Sequence, residues 1–204
     1  QGNYKALQQG VMAAAASGDL PTMTQLTASS FSGFKSEGLL APLDEFLTAD
    51  NGFTEELKKD IYPGFLKGVT VEDKIYALPF SKSVRLMFVN QDMLKQAGKE
   101  VPKTWAEVKE LAAALKEKGV DKPALGLENG LSIEVETMAR QNGATWVSDD
   151  LKTVDLTSDK AIEPIQFIKD MVKDGSARLA GEDKYMSGPF AAGGSAIYIG
   201  SSAG

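Results

Sequence analysis

Serine hydroxyls occur where an apolar segment of the sequence is predicted to end. Ser201 and Ser202 follow the predicted strand 196–199, and Ala203 comes next. Small residues allow a backbone to approach a bound molecule, and two hydroxyls can donate hydrogen bonds to phosphate oxygens. The pattern indicates a binding site for a small polar solute, although an ordinary turn has the same composition.

A second polar group lies between two predicted strands. Residues 81–85 read Ser-Lys-Ser-Val-Arg and carry two hydroxyls and two cations. Ser83 and Arg85 can bind an anion at such a position, because a guanidinium pairs well with phosphate or carboxylate. The alternative is a solvent-exposed connection between the strands.

The absence of His and Cys from the 204 residues narrows the possible chemistry. It removes the commonest general base, the thiolate nucleophile and most zinc and iron–sulfur sites. Enzymes that use Ser with Lys, carboxylates or carboxylate-bound metals stay possible. Glu55–Glu56 and Asp149–Asp150 are adjacent pairs in polar surroundings, so we interpret them as exposed loops. We predict no catalytic residue, no metal site and no cofactor.

The charge of the chain argues against a nucleic-acid partner. Lys and Arg number 22 against 28 Asp and Glu, which gives a net charge of −6, and the cations are scattered. Binding to a polyanion would lose the gain from counterion release. The longest apolar runs are too short to span a bilayer. No signal peptide precedes the first predicted helix, and we expect the natural start to lie upstream of Gln1.

Hydrophobic periodicity predicts helices that alternate with strands, which indicates an α/β protein with largely parallel sheets. Thr104 and Glu107 have the spacing of a capping box at a helix start. The helices are predicted over 3–17, 104–118, 132–141 and 158–174, and the strands over 75–78, 86–89, 124–127 and 196–199.

Several other side chains have both a structural and a functional interpretation. We expect Trp105 to pack in the core, and Glu134 and Glu136 to lie on a solvent-exposed helix face. Tyr4, near a helix start, is either a partly buried packing residue or a ligand contact. Trp146 either stacks on a ligand or closes a hairpin within 145–157.

The chain resembles the extracellular solute-binding proteins of ABC importers, a family with maltose- and sn-glycerol-3-phosphate-binding members. Five stretches in the family's order carry the resemblance. They are 17–21 (SGDLP), 39–43 (LLAPL), 75–97 (IYALPFSKSVRLMFVNQDMLKQA), 102–105 (PKTW) and 190–204 (FAAGGSAIYIGSSAG).

The resemblance implies a two-lobed, periplasmic-binding-protein-like fold of class II, incomplete in this chain. Residues 1–83 would form part of the N-terminal lobe, 84–87 the hinge or crossing strand, and 88–204 part of the C-terminal lobe. The implied function is the substrate-binding component of an ABC transporter, a monomer without catalytic activity that docks on membrane permease subunits. The implied location is extracytoplasmic, in the periplasm or as a cell-surface lipoprotein of a Gram-positive organism.

The resemblance is greatest to the glycerol-3-phosphate-binding members, through 2–4 (GNY), 79–83 (PFSKS) and 200–203 (GSSA). It implies ligand contacts from Tyr4, Ser83 and one of Ser201 and Ser202, with glycerol-3-phosphate or a related phosphorylated polyol as the solute. The family position aligned with Arg85 is not basic.

Two departures alter the polyol end of the implied pocket. Ala28 stands where those members have glutamate, and Ser132 where they have tryptophan. One alternative is therefore a neutral sugar or oligosaccharide, which needs aromatic platforms such as Tyr4, Trp146, Tyr185 and Tyr198. Another is a carboxylate- or metal-dependent hydrolase, and a third is a surface protein without a small ligand.

Overall fold

Residues 4–148, 150 and 152–203 are described by the computed structural model of the chain. Gly2, Asn3, Asp149 and Gly204, which belong to motifs named above, lie outside the described residues. The chain divides into two compact units, residues 1–82 and residues 83–204.

The first unit is mainly helical. Its helices are α1 Tyr4–Ser17, α2 Ala28–Ser36, α3 Glu55–Asp60 and α4 Pro63–Lys67, with a 3₁₀ turn at Ala49–Asn51. Helix α1 ends where Gly18 adopts a φ of 73°, in the left-handed region that favours glycine. Thr27 is the N-cap of α2, and its N–H donates to the Ser30 hydroxyl at 3.1 Å. Pro63 occupies the first turn of α4, where its missing N–H costs nothing.

A short hairpin completes this unit. Strands β1 (Thr70–Val71) and β2 (Lys74–Ile75) pair antiparallel. Glu72 and Asp73 connect them with φ values of 50° and 61°, as a tight two-residue hairpin turn requires. The predicted strand 75–78 was therefore wrong, because pairing ends at Ile75.

The second unit contains a four-stranded sheet. The strands are β3 Arg85–Val89, β4 Leu125–Leu127, β5 Ala177–Leu179 and β6 Ile197–Ser201. Their order is β3-β6-β4-β5. Strands β6, β4 and β5 are parallel, and β3 runs antiparallel to β6 at the edge. The prediction of a largely parallel sheet is confirmed. The helices are α5 Gln91–Ala97, α6 Trp105–Glu117, α7 Ser132–Gln141, α8 Asp159–Lys173 and α9 Ser187–Ala191.

The predicted cap at the start of α6 is present with one change. The Thr104 hydroxyl accepts from the Glu107 N–H at 3.2 Å, but the Glu107 carboxylate accepts from the Lys103 N–H at 2.6 Å instead of from Thr104. Trp105 packs edge-on against Phe167 with ring centroids 5.7 Å apart, which confirms its structural role.

Alternation along β6 separates two apolar clusters on opposite faces of the sheet. Ile197 belongs to the larger cluster, which includes Leu111 and Leu115 of α6 and Ile168 and Met171 of α8. Tyr198 points to the other face, where it meets Ala180, Met186, Phe88 and Phe190. In the part of the chain that the structure describes, no helix has both the length and the apolarity to cross a membrane.

Candidate functional site

The two predicted serine segments meet at one end of the β3–β6 pair. The Ser202 N–H donates to the Val84 carbonyl at 2.9 Å, and the Val84 N–H donates to the Ser202 hydroxyl at 3.2 Å. Ser83 directly precedes Val84, so its Cα lies about 3.8 Å from that of Val84. Ser83 and Ser202 are both exposed. The structure therefore brings Ser83 and Ser202 together at a solvent-exposed edge.

Ser201 and Arg85 are paired one position further into the sheet. Directly paired residues on antiparallel strands send their side chains to the same face. The Ser201 hydroxyl accepts from the Ala203 N–H at 3.1 Å, which fixes the turn after β6. The three serines and Arg85 thus form one polar group, named here the β3–β6 edge.

Glu134, in the first turn of α7, contacts Arg85. Its Oε1 atom lies 3.1 Å from Arg85 Nε, and its side chain is 2% exposed against 31% for that of Arg85. The expectation that Glu134 lies on a solvent-exposed face was wrong. The Glu136 carboxylate, two positions further along α7, is partly exposed and pairs with Arg140 at 2.9 Å.

A second buried carboxylate lies directly after β4. Glu128 accepts from the Met186 N–H at 3.1 Å and from the Tyr198 hydroxyl. Burial, reinforced by the hydrogen bond to Glu128 and its negative charge, raises the pKa of Tyr198 to about 12. Tyr198 therefore stays protonated at neutral pH and acts as a hydrogen-bond donor.

Polar groups follow all three parallel strands on the same edge. After β4, the Asn129 amide exchanges hydrogen bonds of 2.7 and 2.8 Å with Gly181, which follows β5. Ser201 ends β6, and Ser202 follows it. The carboxyl ends of parallel strands are where open α/β sheets bind ligands. This edge has the composition and position of a solute-binding site.

The remaining predicted contact, Tyr4, lies in the first unit. It is the first residue of α1 and is 60% exposed, so the partly buried packing role does not apply. Ala28, the residue aligned with the family's glutamate, begins α2. Two open pockets of about 430 and 340 Å³ are lined by residues other than the four predicted contacts.

The β3–β6 edge can donate hydrogen bonds from hydroxyls and from a guanidinium. Both oxygens of Glu134 are enclosed, and those of Glu128 are hydrogen-bonded, so neither acid is presented to solvent as a free base. Within residues 4–148, 150 and 152–203, no cluster of three or more acidic side chains could hold a metal ion. The arrangement can bind a polar solute reversibly.

Glu128 was not singled out from the sequence, and Glu134 was expected on a solvent-exposed helix face instead of beside Arg85. An arginine that begins an otherwise apolar strand needs a counter-charge, and this was the available signal for a partner of Arg85. Glu128 follows the apolar strand β4 directly, which is the position where polar groups meet at a sheet edge.

Comparison with known proteins agrees with this geometry. The family model described as "Bacterial extracellular solute-binding protein" matches residues 1–204. The sn-glycerol-3-phosphate-binding periplasmic protein UgpB of Rhizobium meliloti (strain 1021) is 28% identical over 216 residues, covering 100% of this chain and 50% of that protein. The chain spans 34% to 50% of the length of the curated relatives it matches.

Two solved structures have the same fold. The GacH receptor of Streptomyces glaucescens GLA.O, solved unliganded and with acarbose, is 25% identical with a TM-score of 0.82, over 97% of this chain and 50% of that one. UgpB of Mycobacterium tuberculosis, in complex with glycerophosphocholine, is 24% identical with a TM-score of 0.81, over 98% of this chain and 52% of that one. These neighbours are two-lobed periplasmic binding proteins, which confirms the predicted fold class.

Proposed function

Because the chain belongs to the bacterial extracellular solute-binding protein family, we propose that it captures a small polar solute for an ABC importer and does not transform it. The solute that we propose is glycerol-3-phosphate or a related phosphorylated polyol. Ser83, Ser201 and Ser202 are the proposed solute contacts in the second unit, and Tyr4 stays a contact predicted from the sequence resemblance.

The observation that carries this proposal is the reciprocal hydrogen bonding of Val84 and Ser202. It holds hydroxyls from two distant segments at the carboxyl edge of a parallel sheet. Hydroxyl and guanidinium donors suit phosphate oxygens. The relatives named for glycerol-3-phosphate, which match the whole length of this chain, support the same choice of solute.

A neutral sugar is the second candidate, favoured by the similarity to the acarbose-binding GacH receptor. Sugar binding relies on exposed aromatic rings. Tyr198 does not offer one, since it is 2% exposed and stacks on Phe88 with centroids 5.4 Å apart. Tyr4 and Tyr185, at 60% and 70% exposed, are the accessible tyrosines among the four aromatic candidates.

The family and its periplasmic relatives support an extracytoplasmic location, either in the periplasm or as a cell-surface lipoprotein. We extend the proposal to a monomer whose loaded form docks on membrane permease subunits. Its partners are then a small molecule and the permease, with no nucleic acid.

A solute panel on the full-length protein tests the proposal. Thermal shift followed by calorimetry would compare glycerol-3-phosphate, glycerophosphocholine, maltose and acarbose. We expect stabilisation by the phosphorylated compounds, weakened roughly tenfold by Ser202→Ala and unchanged by Ser36→Ala, which removes an exposed serine on α2. Stabilisation by maltose or acarbose alone would replace the phosphorylated solute with a sugar. No response to any solute would contradict the binding role.

A further inference from the structure

The Arg85–Glu134 pair is asymmetric in its exposure to solvent. Glu134 is buried, with both carboxylate oxygens enclosed and lacking hydrogen-bond donors of good geometry among the described residues. Arg85 Nε is the nearby charge at 3.1 Å, and nearly a third of the Arg85 side chain is exposed. A buried carboxylate is costly unless a cation compensates it, so Glu134 holds the guanidinium at this position.

The orientation of the guanidinium leaves most of its donors available. Arginine has five N–H groups in a planar fork, and Nε faces Glu134. The structure assigns no acceptor to the four N–H groups on the Nη atoms in the described part of the chain. Fixing one edge of the fork in this way lowers the ordering cost when the other edge binds a ligand.

The Arg85 side chain lies on the same face of the sheet as that of Ser201, one of the predicted contact residues. Arg85 pairs directly with Ser201 in the β3–β6 ladder, so the two side chains share a face of the sheet. That face is also the one on which α7 carries Glu134. Ser202, bonded to Val84, is the next residue along the edge.

We infer that Arg85 is the residue that recognises the negative charge of the solute, and that Glu134 is its positioning residue. The inference rests on the proposed function and specifies it. The solute carries a phosphomonoester or a comparable small anion, which accepts from the Nη groups of Arg85 and from the Ser201 and Ser202 hydroxyls. Specificity for an anion over a neutral polyol then comes from Arg85.

Calorimetry of the full-length protein with glycerol-3-phosphate and with inorganic phosphate tests this. Arg85→Gln should weaken both roughly 10- to 100-fold, as expected for the loss of charge-assisted hydrogen bonds. Arg85→Lys should fall in between, because it keeps the charge and loses the fork. Arg140→Gln is the control, because Arg140 pairs with Glu136 of the same helix. This substitution should leave both affinities within about twofold.

A double-mutant cycle separates positioning from folding. Removing Arg85 alone leaves Glu134 buried without a counter-charge, so Arg85→Gln/Glu134→Gln provides a variant that removes both charges and keeps similar volumes. If Glu134 acts through Arg85, Glu134→Gln weakens binding only when Arg85 is present. Equal effects of Glu134→Gln in both backgrounds would overturn the positioning role.

The possible failures are distinguishable. Unchanged affinity for glycerol-3-phosphate in the folded double variant would overturn the role of Arg85 and leave the transport proposal intact. Binding of maltose by the wild type without binding of either phosphate compound would overturn the anion subsite and leave a sugar-binding protein. Absence of binding to all of these solutes would overturn the proposed function itself.

Discussion

The hydrogen bond between Tyr198 and Glu128 leads to a measurable prediction about β6, the strand that ends at Ser201 and directly precedes Ser202. Tyr198→Phe removes the hydroxyl and leaves the ring, which keeps its stacking on Phe88 at 5.4 Å. Glu128 retains only the Met186 N–H of its two described donors. Tyr198 and Glu128 are both buried, with 2% and 7% of their surface exposed.

The expected cost follows from the type of bond that is lost. A hydrogen bond to a charged group contributes about 1.5–3 kcal/mol, and water cannot readily replace the donor at a buried carboxylate. We expect Tyr198→Phe to lower the free energy of unfolding by that amount in urea at neutral pH. Tyr185→Phe is the matched control, since Tyr185 is 70% exposed and should tolerate the change.

The same bond predicts a pH dependence. The folded protein keeps the Tyr198 proton up to a pKa of about 12, whereas the unfolded chain loses it near the ordinary value of 10.0. Stability from this group is therefore complete below pH 10 and falls between pH 10 and 12, by at most about 1.4 kcal/mol per pH unit. Ultraviolet absorbance should show one late-titrating tyrosine that disappears in Tyr198→Phe. Equal urea midpoints for the wild type and Tyr198→Phe would refute the assigned hydrogen bond. A late tyrosine titration that persists in Tyr198→Phe would refute it as well.

Two further substitutions test the packing of the second unit by thermal unfolding. A Cβ at Gly126 would lie 2.7 Å from Met186 Cε, so Gly126→Ala should cost about 1–3 kcal/mol. The control Gly130→Ala meets nothing within 4 Å and should be neutral. Equal unfolding temperatures for the two variants would show that this face of the sheet is loosely packed. Thr104→Ala should cost about 1 kcal/mol of stability, because it removes the hydrogen bond from the Glu107 N–H. Thr104→Ser keeps the hydroxyl and should retain most of this stability. An equal loss in Thr104→Ser would assign the effect to the methyl group.

The features that were predictable from sequence are those set by neighbouring residues. The cap at Thr104 was found because its hydroxyl and the Glu107 N–H lie within one turn. The prediction of a strand over 75–78 was wrong. The apolar residues of this segment are of types that suit a strand, but pairing with β1 ends at Ile75. The order of the sheet depends on contacts between segments far apart in sequence, such as Arg85 with Ser201, and periodicity carries no information about those.

The part of the candidate site that local motifs specify was predictable from the sequence. The motifs that resemble the family pointed to Ser83 and Ser202, and the structure brings these residues together through Val84. Glu134 was misjudged because a glutamate among helix residues is usually exposed, and nothing near it in sequence indicates burial. Its burial depends on Arg85, which reaches it from another element of the fold.

The rigidity of β6 connects its buried face to the proposed function. Alternation places Tyr198 and Gly200 on one face and Ile197, Ile199 and Ser201 on the other, and both faces pack against clusters of apolar side chains. A strand held on both faces keeps Ser201 in place before a solute arrives, so less conformational entropy is lost on binding than in a mobile turn. A binding protein needs such pre-ordered donors because it forms no covalent bond that would offset the cost of ordering them.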